Sequence, residues 1–252
     1  MAEQLRGTPQ NIHTEPRVER KEAVQPSYMP FLGGMLSAGG EMGLYVTHHT
    51  AKKPGAAETD GFFVTTSVTP KIFYPEVKQG ISKVLVDTFG GSILHKDTPH
   101  IGWGVSGEEA VLLARQVRDF APSRAPVVDA FEEWLREESL KKKVEIAQAL
   151  KAQTRRRMQN IPKEAYAGLV ENPMFLAGVF QFHGVNEIGL EDGTEHRHTQ
   201  IDSVNTGLLV ALKNKFGGVI LLGEKMNHLV LEPVQSGRLI KIIEPHLLVP
   251  EQ

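Results

Sequence analysis

Residues 186–202 read NEIGLEDGTEHRHTQID. Two strand-like stretches flank Asp192–Gly193, a dipeptide suited to a two-residue β-hairpin turn because both positions tolerate positive φ. Strands joined this tightly run antiparallel, which argues against a parallel sheet wound with helices. Working outward, FFVTTSV (62–68), KIFYPEV (71–77) and SKVLVDTF (82–89) read as strands, as do TGLLVAL (206–212), GGVILL (217–222), NHLVLEPV (227–234) and RLIKIIE (238–244). Their β-branched and aromatic content and the glycine turns between them support that reading. MFLAGVFQFHGV (174–185) is expected to pass from helix into strand, after a short helix at 162–171.

The middle of the chain is helical. Ser106 and Glu109 have capping-box spacing ahead of Ala110, Leu113, Ala114, Val117 and Phe120, which predicts a helix over 107–120. From Pro126 to Asn160 no residue type breaks the pattern, which predicts one helix of ~34 residues and about 50 Å. Its acids, Asp129 to Glu138, lie in the first half, and its bases, Lys141 to Arg157, lie in the second. That order suits the helix dipole. No internal repeat is legible. The expected class is α+β: mainly antiparallel sheet regions, one capped helix, one long helix and an extended N-terminal arm. The arm is placed at 1–30 and a single body at 31–252, β-rich over 31–105, helical over 106–171 and β-rich over 172–252.

Composition narrows the function. The chain has 252 residues, a formal net charge of -2 and no cysteine. No global field draws it to nucleic acid or anionic lipid, and thiolate metal sites, disulfides and cysteine nucleophiles are excluded. The apolar run 31–46 contains Glu41 and five glycines, and it is shorter than the roughly 20 residues a spanning helix needs. Its glycines lack the lysine and hydroxyl of a phosphate loop, so they read as turns or close backbone packing. The signatures of a serine nucleophile, a zinc protease and an EF-hand are also absent.

Three groups of residues remain. His196 and His198 are two apart, on one face of a strand, with Asp202 in line. With His183 or His228 they compose a candidate site for a divalent metal such as Zn, Fe or Mn. Polar decoration of a hairpin is the plainer reading, so the expectation is no cofactor. Lys141, Lys142, Lys143, Lys151, Arg155, Arg156 and Arg157 compose a candidate nucleic-acid contact, although three consecutive bases spread around a helix instead of lining one side. The polar arm cannot bury enough apolar surface to fold alone, and the long helix exceeds what one small core needs. Together these favour a non-enzymatic assembly subunit of a large oligomer, of the kind that builds virion shells or tails. Arg17, Tyr28, Phe31, Trp134, Leu135 and Val144 are its expected contact residues. The expected partners are further copies or neighbouring subunits, and the expected place is the cytoplasm or an assembled particle. A metal-dependent enzyme and a nucleic-acid-binding module are the alternatives.

Overall fold

The computed structural model describes residues 26–52, 62–74, 77, 80–94, 101–159, 161–191 and 194–249. The hairpin from which the sequence was read is present: β5 (Gly184–Glu191) pairs antiparallel with β6 (Thr194–Ser203), Glu187 opposite His198 and Val185 opposite Gln200. Its turn, 192–193, lies outside the described residues. With β7 (Val219–Leu221) and β8 (Asn227–Leu231) the hairpin forms a four-stranded sheet, order β5-β6-β8-β7. A second sheet is built from β1 (Glu41–Lys52), β2 (Phe62–Tyr74), β3 (Ser92–Leu94) and β4 (Gly102–Ser106), order β1-β2-β4-β3. The expected α+β class with antiparallel sheets is what the chain adopts.

Helices fall in the same places around both sheets. α1 (Met29–Ala38), α2 (Ile81–Phe89) and α3 (Glu108–Val117) attend the first. α6 (Pro173–His183), α7 (Thr206–Phe216) and α8 (Pro233–Ile243) attend the second. One helix–two strands–helix–two strands–helix unit therefore occurs twice, although no repeat was legible in the sequence. All ten residues of α1 are buried, as are Phe175–Gln181 of α6. A helix apolar on every side belongs inside the molecule.

These two helices pack on each other through glycine. A Cβ at Gly34 would sit on the Phe175 carbonyl and 2.9 Å from the Val179 nitrogen, and one at Gly178 would sit on the Phe31 carbonyl. The end of α1, being buried, needs donors for its last carbonyls. Arg124 donates to Leu36 O (3.1 Å from its terminal nitrogen) and to Gly40 O. Ser203 Oγ donates to Ala38 O at 2.9 Å, and Asn205 Nδ2 reaches Ser37 O at 3.5 Å.

Several expectations are corrected. The single long helix is two, α4 (Ala125–Arg136) and α5 (Leu140–Gln159). Glu137 is extended, its carboxylate accepts from Ser139 N at 2.8 Å, and Ser139 Oγ faces Lys142 N at 3.5 Å. Such local bonds offer the backbone an alternative to continuing the helix. The capping box at 106–109 does not form, because Ser106 ends β4 opposite Lys71 and Gly107 is the N-cap with no side-chain bond. SKVLVDTF, TGLLVAL and RLIKIIE are α2, α7 and α8, not strands. Short apolar runs carry no period that separates strand from buried helix, and the caps decide. Asn205 Oδ1 accepts from Leu208 N at the start of α7, and Glu232 and Gln235 close a reciprocal box at the start of α8. Of the arm, residues 1–25 lie outside the described residues, while Met29 and Pro30 already belong to α1 and are buried.

Candidate nucleic-acid interface

Side chains alternate across each sheet. In the first, Met42, Leu44, Val68 and Ile72 point into the core, so their neighbours Glu41, Tyr45, Thr69, Lys71 and Phe73 take the outer face. There Tyr45 donates to Glu41 at 2.9 Å, packs edge-on to Phe73 at 5.5 Å and lies under the Lys71 ammonium at 5.6 Å. Burial, then the Glu41 charge, raises the Tyr45 phenol above its ordinary pKa, so it remains a neutral donor.

In the second sheet Ile201, Leu229 and Leu231 point inward. The outer positions include Val185 on β5, His198, Gln200 and Asp202 on β6, His228 and Val230 on β8, and Val219 and Leu221 on β7. Asp202 is the centre of a small network, with His228 Nδ1 2.7 Å from its Oδ1 and Gln200 Nε2 donating to the same oxygen at 2.8 Å.

His183 closes the C-terminal end of the α1–α6 pair. Its Nε2 is 2.8 Å from Tyr74 Oη, and a Cβ on Gly39 would collide with its ring. Burial pulls its pKa down from 6.5 to about 4, against a smaller upward pull from the Asp202 carboxylate. The folded pKa is the lower one, so on acidification the unfolded chain takes this proton first. Stability is therefore expected to fall between about pH 6.5 and 4, by ~3 kcal/mol from this group alone, and to lose nothing more from it below pH 4. Urea midpoints of the native protein and His183→Gln across that range check this. An equal acid slope in both proteins would clear His183 of the effect.

The structure places the other candidate residues as follows. Asp202 and His228 meet. His198 instead faces Glu232, its Nδ1 3.6 Å from the carboxylate. His196 lies opposite Gly189 in the β5–β6 register. Among the described residues no three histidines or carboxylates gather as metal ligands would. Lys141 and Lys142 are exposed on α5, Lys143 lies over the Trp134 ring at 4.5 Å, and Lys151 is exposed. Arg155, Arg156 and Arg157 are in the last turns of α5. Phe31 is wholly buried in the core, Tyr28, Trp134 and Val144 are partly buried, Leu135 is exposed, and Arg17 lies outside the described residues. His48 is 3.1 Å from Thr66 Oγ1, whereas His95, Asp97 and His100 lie outside the described residues. Sequence reasoning missed Tyr74, Gln200 and Gly39. A signal for the helix pair was present all the same, because Phe-Leu-x-Gly occurs at both 31–34 and 175–178.

No protein-family model and no curated protein matches the sequence. Solved structures do match the fold. I-SmaMI bound to an uncleaved DNA target in the presence of calcium ions superposes with a TM-score of 0.53 at 13% identity, covering 88% of this chain and 86% of that one. The LAGLIDADG meganuclease I-AabMI bound to uncleaved DNA gives 0.55 at 12%, covering 88% and 85%. The I-SmaMI LAGLIDADG homing endonuclease on cleaved DNA gives 0.54 at 14%, covering 86% and 82%. The chain thus has the fold of these proteins.

This likeness corrects the expectation of a structural virion or assembly subunit, since the proteins sharing the fold are DNA-bound nucleases and not shell or tail components. It also corrects the expectation of no cofactor, because one of them is bound to its DNA target in the presence of calcium ions. Whether such an ion fits the helix-pair end here can be tested on the residues. The letters LAGLIDADG, laid over LGGMLSAGG (32–40) and LAGVFQFHG (176–184), agree at the first, third and last positions of both. The two aspartates of the name fall on Ser37 and Gly39, and on Gln181 and His183. A hard divalent ion needs oxygen ligands. Gly39 has no side chain, Ser37 offers one neutral buried hydroxyl, Gln181 is taken by the backbone of Leu248 and Val249, and His183 is a partly buried imidazole beside Tyr74. The residues at this end do not fit the ion. Among the described residues no helix is long and apolar enough to cross a membrane.

Proposed function

We propose that this protein binds double-stranded DNA across the outer faces of its two sheets. The supporting observation is the frame: two sheets of identical strand order on a glycine-tight helix pair, a fold whose solved examples include proteins held on DNA. A β-ribbon is one of the elements a DNA major groove admits. The contact surface is assigned to the sheets and not to the basic turns of α5, because Lys143 is engaged with Trp134 and the bases there spread around the helix. The α1–α6 end lacks the carboxylate oxygens that best hold a hard divalent ion, so the reading is one of binding.

The test is selection from a random duplex library with full-length protein, followed by binding measurements with and without Mg2+ or Ca2+ at two salt concentrations. An enriched duplex should bind about a thousandfold more tightly than random sequence. Equal, wholly salt-suppressed binding to every polyanion, heparin included, would discard the proposal.

A further inference from the structure

The two outer faces are chemically unequal, and the second carries an unusual row. Val185, Gln200, Val230 and Val219 are in register across all four strands of the β5-β6-β8-β7 sheet. Val185 is 48% exposed, Val219 54%, and Leu221 of the adjacent row 51%. Exposed aliphatic side chains are individually unremarkable, but three on one sheet face, beside a glutamine, form a patterned surface. Among the described outer-face strand positions of this sheet there is no lysine or arginine, and the Asp202 carboxylate is engaged by Gln200 and His228.

The base edges in a major groove carry one apolar group, the thymine C5 methyl, and the commonest specific reader of guanine is arginine or lysine. An aliphatic row without cations therefore gains contact from thymine and lacks the arginine or lysine that most often reads guanine. Resting on the DNA-binding reading above, we infer that the β5-β6-β8-β7 face recognises an A·T-rich half-site through thymine methyl groups, with Val185 and Val219 as specificity-determining residues. The first sheet, with Tyr45, Thr69 and Lys71 outward, reads the other half by different chemistry, so the target is not a palindrome.

The experiment replaces thymine by deoxyuridine, which lacks only the C5 methyl, in each half of the selected duplex in turn. Native protein should lose about fourfold in affinity per contacted methyl in one half and little in the other. Val185→Ser with Val219→Ser, both exposed and so compatible with folding, should weaken thymine binding and lose the deoxyuridine penalty in that same half. An enriched duplex with no A·T-rich half, or one indifferent to deoxyuridine throughout, overturns the inference and leaves DNA binding standing. Failure to enrich any duplex removes both. Self-association that the two serines abolish, seen by native mass, would make the row a contact between copies and overturn the inference as well.

Discussion

Gly178→Val is expected to leave the chain largely unfolded. The Cβ alone would enter the Phe31 carbonyl, and that oxygen is backbone, so no rotamer change relieves the clash. Overpacking a core usually costs about 1–3 kcal/mol because side chains give way. Here α1 and α6 must separate along their length, and the cost should exceed that range against a total stability of only ~5–15 kcal/mol. Gly178→Ala should already lower the urea midpoint sharply. Gly237→Ala is the matched control: its site within α8 has nothing within 4 Å of an added Cβ, so the substitution should stabilise by about 0.5–1 kcal/mol through helix propensity. Similar effects of the two alanines on the midpoint would show that the crossing is looser than its geometry states.

Arg124→Met should cost about 2–6 kcal/mol, the loss at two buried acceptors. Arg124 is 2% exposed, and burial lowers its pKa from the ordinary guanidinium value to about 10, partly offset by the Tyr166, Glu41 and Tyr45 fields. It is therefore charged at neutral pH. Methionine fills much of the volume but leaves Leu36 O and Gly40 O without these donors, and an orphaned buried acceptor costs roughly 1–3 kcal/mol. Arg124→Lys should recover only part, since an ammonium lacks the planar fork that spans two carbonyls. Equilibrium unfolding in urea measures all three proteins. A loss below about 1 kcal/mol in the methionine variant would mean that other donors replace the guanidinium.

What could be read from the sequence follows from where the information is local. Asp192–Gly193 announced the hairpin because turn chemistry is a property of two residues. The break between α4 and α5 was equally local, held in Glu137 and Ser139, but a polar residue on an exposed helix looks the same whether or not it bonds its own backbone. α7 was misread because its apolar run is buried nearly throughout, leaving no exposed face to reveal a period. The doubled architecture escaped because the halves share backbone geometry and few side chains. Only the Phe-Leu-x-Gly recurrence marks the part of that geometry, the helix crossing, that tolerates glycine alone. At the site, the sequence pointed to His196 and His198 with Asp202, His183 or His228 beside them; Asp202 and His228 meet, while His198 faces Glu232. Their setting within a sheet face, together with Gln200 and the valines, depended on a register spanning strands far apart in the chain.

The end of α1 has a consequence for how this molecule is divisible. One of its terminal carbonyls, and that of Gly40 just beyond it, are answered by Arg124, which precedes the α4–α5 link, and two by Ser203 and Asn205, which follow it. The first unit, though it has its own sheet and helices, thus borrows donors from the second to finish its first helix. In return Tyr74 Oη donates to Phe182 O at the end of α6 at 3.2 Å, so the chain should melt in one transition, and a cut between α4 and α5 should yield fragments that fold only on each other.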